Sequence, residues 1–475
     1  MIKIDKLDIK KAHEGLVDGD FSAVDLAKAC IKNIEEKDKD INAYLEVYDD
    51  VIKQAEYADK KIKNKDNITE LTGIPIALKD NILNEGKTVS AASKILENYK
   101  ATYDATVVKK LKDAGAVFIG RTNMDEFGMG SSTENSAFGV VKNPYDTNRV
   151  AGGSSGGPAA AVAISSALGS FGSDTGSSVR LPASFCGLVG LKPTYGAVSR
   201  YGLIAFGSSL EQIGPMGKTV GDVEILFNTT SGYDKMDSVS LPEDFYSKHK
   251  KKEKLIIGVP THFMKEGIDE DVLENFNQSV EKLKSLGYEV KEITLPNIKY
   301  SLSVYYIVMP AEASANLARF DGVRYGLHKD GDSVIEDYFE TRESGFGTEV
   351  KRRIVLGTHV LSSGYYDAYY NKANIVRNLI KSDFDNAFRN VDVILTPTSP
   401  TPAFKIGEKK DPLSMYLSDI FTVQANLTGM PALSVPSGSV VRDGKELPVG
   451  LQIIAPLLRE NILFEIGKRF SGENN

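Results

Sequence analysis

Cysteine is nearly absent from this chain of 475 residues: only Cys30 and Cys186 occur, in different sequence settings. Two such residues make neither a disulfide framework nor a zinc-binding pattern, and the cytosol is the compartment they lead one to expect. Cys186, between Phe185 and Gly187, reads as packing rather than as a thiol nucleophile. Histidine is scarce as well. His13, His249, His262, His328 and His359 form no His-x-x-x-His pair and stand near no cluster of Asp, Glu or Cys. Each reads as a surface or satisfied core residue, so a metal site or a His-based triad has little support. No apolar run approaches the length of a membrane span. The segment Met1–Lys6 lacks the apolar core of a signal peptide. Positive charge is not in excess either: the net charge of −7 argues against the chain as a whole being a polyanion binder. The one basic run, Lys248–Lys254, reads as a solvated linker before the strand Leu255–Pro260.

A hydrophobic content of 41% and a charged content of 25% are those of an ordinary soluble globular protein. The length permits a large core and, taken alone, two or three domains, although large α/β enzymes often use one sheet. Residues 22–36 read as an amphipathic helix that Ser22 caps, with Asp25 completing a capping box and Leu26, Ala27, Cys30, Ile31 and Ile34 on one face. Such a helix can pack on its own domain or against a partner. From Leu71 to about Pro193 charge thins out, and Gly, Ser, Ala and short apolar runs dominate. Ala116–Gly120 is a candidate buried strand. Pro158–Ile164 reads as a helix, apolar all round and so buried, with Pro158 near its first position. Residues 255–295 form a strand–helix–strand unit whose helix, with Val272, Leu273, Phe276, Val280 and Leu283 at helical spacing, ends at Gly287. The runs Val391–Pro397 and Leu447–Ile454 add strands to what reads as a mixed sheet covered by helices. With no internal repeat and no obvious linker, the expectation is one domain. It has a helical N-terminal segment over about 1–65, a Gly/Ser-rich core over about 71–193, and the rest of the same sheet over about 194–475.

Two glycine loops and one lysine carry the chemistry. The first loop is Gly152-Gly153-Ser154-Ser155-Gly156-Gly157; the second is Gly172-Ser173-Asp174-Thr175-Gly176-Ser177-Ser178-Val179-Arg180. Upstream, Lys79 follows the apolar run Ile74–Leu78. A serine hydroxyl is a poor nucleophile until a base takes its proton, and a lysine serves only when neutral. Desolvation lowers a lysine pKa, and the apolar run makes a desolvated Lys79 plausible. Read alone, Lys79 is a lysine paired with a carboxylate such as Asp80 at a strand end; the glycine loops change that reading. Glycines let backbone N–H groups approach a substrate, and N–H groups converging before a serine form an oxyanion hole. Thr175, Gly176, Ser177 and Ser178 suit that role if a short helix begins at Ser178. A phosphate cradle at Gly152–Gly157 is weak, because Pro158-Ala159 follows where a P-loop needs Lys-Ser/Thr.

Both loops, in this order behind Lys79, resemble the amidase signature family. The resemblance implies an α/β fold with a central mixed sheet covered by helices on both faces, and a Ser–cis-Ser–Lys triad. Ser178 would be the nucleophile, Ser154 the bridging serine and Lys79 the base. The segments Asn123–Asn135, Arg319–Gly326, Glu349–Arg353 and Ser363–Tyr370 are similar to one branch of the family, the glutaminase components of glutamyl-tRNA(Gln) amidotransferases. In that branch, ammonia from L-glutamine passes to a B subunit that uses ATP and Mg²⁺ to amidate Glu-tRNA(Gln), and a C subunit completes a heterotrimer. The glutaminase component itself carries no cofactor and no metal. By resemblance, Arg353 would hold the α-carboxylate of glutamine, with Asp419 and Tyr305 near its α-amino group; read alone, Arg353 and Asp419 are surface charges. An arginine fork suits a carboxylate.

Two positions depart from the family's pattern. Ser177 stands where the family usually has a second glycine. A positive φ there would cost a serine about 1–2 kcal/mol. Pro158 replaces a residue with an N–H, which a helix start can spare. Asp174 and Arg180 are expected to brace the second loop without transferring protons. A free-standing amidase acting on other small amides, and a non-catalytic scaffold within the same complex, are the competing expectations. The first has no need of a zwitterion clamp, and the second has no reason to keep Lys79, Ser154 and Ser178 together.

Overall fold

The computed structural model describes residues 2–242, 254–264 and 267–473. Thirteen strands are present among them: β1 (Tyr44–Val47), β2 (Pro75–Lys79), β3 (Val117–Thr122), β4 (Lys142–Asn143), β5 (Asp146–Val150), β6 (Gly169–Asp174), β7 (Val189–Lys192), β8 (Gln212–Gly217), β9 (Ile256–Val259), β10 (Glu289–Glu292), β11 (Val393–Pro397), β12 (Ala432–Arg442) and β13 (Lys445–Ile454). Eleven form one sheet in the order β1-β3-β2-β6-β8-β7-β12-β13-β11-β9-β10, and β4 and β5 form a separate pair. The sheet is mixed. Strand β2 runs parallel to β3 and β6, and β9 parallel to β10 and β11, while β6/β8, β7/β8, β7/β12, β12/β13 and β11/β13 are antiparallel.

Successive side chains of a strand point to opposite faces, and the core divides accordingly. Leu395, Leu433 and Ile453 join the larger apolar cluster, whereas their neighbours Ile394, Ala432 and Ile454 join a second. The first cluster includes residues of the helices Ala23–Asn33, Val220–Thr230 and Glu460–Ser471, and the second those of Ser301–Asn316 and Lys372–Ala387. Helices thus cover both faces.

The sequence-level elements are found with small shifts. Ser22 and Asp25 form the capping box of Ala23–Asn33, which buries Leu26, Ala27 and Cys30. That helix packs within its own domain: Asp59 accepts hydrogen bonds from the N–H groups of Ala23 and Val24 at its start. Both cysteines are free and buried. The strand–helix–strand unit is β9, Glu270–Ser285 and β10, with Gly287 at φ 92° just past the helix. The basic run Lys248–Lys254 lies outside the described residues except for Lys254.

Parallel pairing places the chemistry. Because β2 and β6 are parallel neighbours, with Leu78 opposite Phe171, their carboxyl ends meet at one edge of the sheet. Lys79 closes β2, and the second glycine loop leaves β6 after Asp174. The helix Gly156–Ala163, with Pro158 as its third residue, follows the first glycine loop and is almost wholly buried. It sits tight against β3's exit: Gly157 N–H donates to Asn123 O at 3.1 Å, and a Cβ at Gly157 would lie 2.2 Å from that oxygen. Gly157→Ala must push backbone from backbone. It should destabilise the protein by at least about 1–3 kcal/mol, read as a lowered midpoint in chemical denaturation.

Candidate active site

Lys79 is fully buried, and its Nζ lies 2.7 Å from Ser154 Oγ. The amine also donates to Ser173 Oγ at 3.0 Å and Ser173 O at 3.2 Å, and Asn81 Nδ2 steadies the same Ser173 hydroxyl at 2.9 Å. Burial pushes the Lys79 pKa down, against the charges of Asp125 and Asp174, to about 7. A large share of the amine is therefore neutral near neutral pH, as a base must be. The alternative pairing with Asp80 is not the one found. Asp80 instead takes Arg121 Nη1 at 3.0 Å and the N–H groups of Ser90 and Ala92.

The Gly153–Ser154 peptide is cis. The carbonyl of Ser154 accepts from Asp125 N–H at 3.2 Å, and Ser155 N–H donates to Ser178 O at 3.1 Å, which clamps the two glycine loops together. Among the described residues, the Ser178 hydroxyl makes no hydrogen bond within the chain, to Ser154 or to any other group, and it keeps 5% exposure. Catalytic hydrogen bonds commonly close only around a bound substrate.

The second loop is shaped by Asp174 and Arg180, both wholly buried. Asp174 Oδ2 accepts from the N–H groups of Val179 and Arg180, at 3.0 and 3.4 Å. These bonds take up N–H groups at the start of the helix Arg180–Phe185, which begins two residues beyond the expected Ser178. Upstream, the N–H groups of Thr175, Gly176, Ser177 and Ser178 donate to no acceptor within the chain among the described residues. Four donors in succession beside a free serine hydroxyl are what an oxyanion requires. Ser177 does not adopt a positive φ, so the strain considered for a serine there does not arise. Burial raises the Asp174 pKa, but Arg180 outweighs it and brings it down to about 2. Arg180 also donates to Gly176 O, Thr422 O, Asn426 Oδ1 and Gln452 Oε1, between 2.7 and 3.0 Å.

The remaining candidates surround this loop, and none lies at the surface. Arg353 is 3% exposed; its Nε donates to Glu349 Oε1 at 2.7 Å, one helical turn away. Its guanidinium lies 5.6 Å from the ring centroids of both Tyr306 and Tyr416, which stack on each other at 3.7 Å. Burial opposes the Arg353 charge, yet Tyr306 and Glu349 outweigh it and hold the arginine protonated. Asp419 is also 3% exposed. Its Oδ1 accepts from Ser177 Oγ at 2.6 Å, and its Oδ2 from Ser131 Oγ at 2.9 Å and Tyr306 Oη at 3.2 Å. Burial raises its pKa, and these three hydroxyls and Arg353 oppose the rise. Tyr305 packs on the loop itself: a Cβ at Gly176 would meet its ring and hydroxyl at 2.8 Å. Tyr306, rather than Tyr305, is the tyrosine that touches Asp419.

The family model described as Amidase matches residues 25–464. The chain belongs to the amidase family. Among curated relatives, it is 52% identical over 468 residues to the A subunit of glutamyl-tRNA(Gln) amidotransferase of Microcystis aeruginosa, covering 97% of this chain and 96% of that one. It is 52% identical over 471 residues to the protein of the same name from Carboxydothermus hydrogenoformans, covering 98% and 96%. Among solved structures, the A subunit of glutamyl-tRNA(Gln) amidotransferase from Thermotoga maritima superposes with a TM-score of 0.79 at 41% identity, over 98% of this chain and 95% of that one. A peptide amidase complexed with chymostatin superposes with a TM-score of 0.83 at 25% identity, over 99% and 98%.

Within this amidase-family fold, sequence reading missed Tyr306, Ser131 and Glu349. Glu349 carried a usable signal, four residues before Arg353 on one helix. Ser131 and Tyr306 carried none, because each meets Asp419 across more than a hundred residues of chain. Among the described residues, no group of three His, Cys, Asp or Glu is placed to hold a metal ion, and no helix is long and apolar enough to cross a membrane.

Asp174→Asn keeps the size of the side chain but leaves Arg180 an uncompensated buried charge. It should cost about 3–5 kcal/mol of stability and lower turnover through a displaced loop, as denaturation and steady-state rates on the same samples would show. The sign with pH follows from the depressed Asp174 pKa. Its contribution is complete above the ordinary carboxylate value of 3.8 and is lost as pH falls towards about 2.

Proposed function

We propose that this chain is the glutamine-hydrolysing component of a tRNA-dependent amidotransferase, using Ser178, Ser154 and Lys79. The observation that carries the reading is the contact of a desolvated Lys79 with Ser154 beside the free Ser178 hydroxyl, close to a buried Arg353 and a buried Asp419. One cation and one anion at the same end of a site suit the zwitterionic end of L-glutamine. The full-length similarity to A subunits of glutamyl-tRNA(Gln) amidotransferases supports the same substrate.

In this reading Ser178 Oγ attacks the side-chain amide carbon of glutamine. Its proton passes to Ser154 Oγ as the Ser154 proton passes to neutral Lys79 Nζ. The N–H groups of Thr175, Gly176, Ser177 and Ser178 receive the oxyanion. When the tetrahedral intermediate collapses, the C–N bond breaks and the proton returns through Ser154 to the departing nitrogen, which leaves as ammonia. Water then attacks the acyl-Ser178 ester by the same relay and releases glutamate. The guanidinium of Arg353 takes the α-carboxylate, and Asp419 takes the α-ammonium, with Tyr305 lining that end.

Ammonia is consumed elsewhere in this reading, by a B subunit that uses ATP and Mg²⁺ to convert Glu-tRNA(Gln) to Gln-tRNA(Gln) in a cytoplasmic heterotrimer completed by a C subunit. This chain would itself bind no cofactor and would meet tRNA mainly through its partner, in keeping with its net charge of −7. Its surface supports a partner. Val334, Ile335, Phe339, Val355 and Ile375 are each more than half exposed, on three helices in succession along the chain.

The test is ammonia release from L-glutamine by the chain, alone and with B and C subunits, beside Ser178→Ala and Lys79→Ala. Both substitutions should lower release by at least about a thousandfold. No release from the unsubstituted protein, even with partners and charged tRNA, would overturn the reading. The rate should also rise with pH through about 7, because the base works only when Lys79 is neutral and burial sets its pKa there. A flat profile between pH 6 and 8 would exclude Lys79 as the base.

A further inference from the structure

Asp419 lies 242 residues from Ser177, yet their side chains meet at 2.6 Å, the shortest of the three hydroxyl contacts that Asp419 receives. A glycine at position 177 would leave Oδ1 without that donor. Among the described residues the main-chain N–H of Ser177 donates to no acceptor within the chain, while its hydroxyl donates to Asp419. We propose that the Ser177 side chain is a positioning group for the ammonium end of the substrate. It fixes the Asp419 carboxylate and ties it to the oxyanion loop, so that capture of the ammonium and placement of the oxyanion donors are coupled. This inference rests on the glutaminase reading.

Three features make the coupling physical. Oδ1 accepts a single hydrogen bond, from Ser177, whereas Oδ2 accepts two. A carboxylate oxygen has two lone pairs, so Oδ1 retains one to receive an ammonium proton. The carbonyl of Gly176, next to Ser177, accepts from Arg180 Nη2 at 3.0 Å, which ties the loop that bears Ser177 to the buried ion pair. Burial disfavours the ionised Asp419, and the hydroxyl donors favour it. The groups facing it are Ser131, Ser177 and Tyr306 by hydrogen bond, Arg353 and Lys409 by charge, and the titratable Tyr305. Loss of the Ser177 donor therefore shifts Asp419 towards its neutral form, which cannot pair with an ammonium.

The experiment is a double-mutant cycle on the full chain with its B and C partners, combining Ser177→Ala with Asp419→Asn. It is read as KM and kcat for L-glutamine and for glutaramate, an amide that lacks the α-amino group. Removing a hydrogen bond to a charged group should raise KM for L-glutamine by about tenfold. The penalty should shrink severalfold in the Asp419→Asn background and with glutaramate. Ser177→Gly, which asks nothing new of the backbone, should behave as Ser177→Ala does. Where Asp419→Asn turns over too slowly, the dissociation constant of L-glutamine in a Ser178→Ala background closes the same cycle.

Equal penalties in both backgrounds, or with both substrates, would overturn the inference, because the loop would then be disturbed without reference to the ammonium. A lowered KM would also overturn it, since the hydroxyl would be competing with the ammonium for Oδ1. In both cases serine-dependent glutamine turnover would stand. Absence of that turnover in the unsubstituted complex would remove the glutaminase reading and this inference together.

Discussion

The buried ion pair of Asp174 and Arg180 is the interaction on which the catalytic edge depends. Neither side chain reaches solvent, and an isolated charge there would be prohibitively costly. The pair is tolerable because nearly every donor and acceptor is satisfied, by Val179, Gly176, Thr422, Asn426 and Gln452. That set joins the end of β6 to the helix Val423–Thr428 and to β13. Asp174 accepts from the N–H groups of Val179 and Arg180 at the start of the following helix, and among the described residues the four preceding N–H groups donate to no acceptor within the chain. One electrostatic requirement thus fastens distant segments beside a site for an anion.

Lys79 poses the opposite problem. Its amine is also buried, but no carboxylate touches it; Asp125 and Asp174 act only at a distance, and its near neighbours are hydroxyls and a carbonyl. Desolvation therefore prevails and the pKa falls. The protein places a fully paired arginine and an unpaired lysine on adjacent parallel strands or just beyond them. The first keeps its charge and gives rigidity; the second gives up its charge and can take a proton. At the far end of the site, Glu349 opposes the cost of burying the Arg353 charge, and three hydroxyls oppose that of burying the Asp419 carboxylate.

Much of this was legible in the sequence. The apolar run before Lys79 marks a buried strand end, the capping box at Ser22 marks a helix start, and the order of the two glycine loops behind a lysine marks a family. Other features were not. Arg353 and Asp419 read locally as surface charges, because a single charge carries no record of what covers it. The contact of Tyr306 with Asp419 was not legible, since it depends on which side of the helix Ser301–Asn316 faces Asp419. The φ of Ser177, which is not positive, is fixed by the fold of the loop and not by its residue type.

The sequence by itself determined the local periods, caps and turn residues, and through its motifs the kind of chemistry, because these depend on residues within a few positions of one another. Only the tertiary structure decided which groups share a site. The contacts of Ser177 with Asp419, Ser131 with Asp419 and Arg180 with Gln452 each span more than 240 residues. Their existence follows from the order of eleven strands and the packing of helices on two faces, and burial then sets the charge state of every group that meets there.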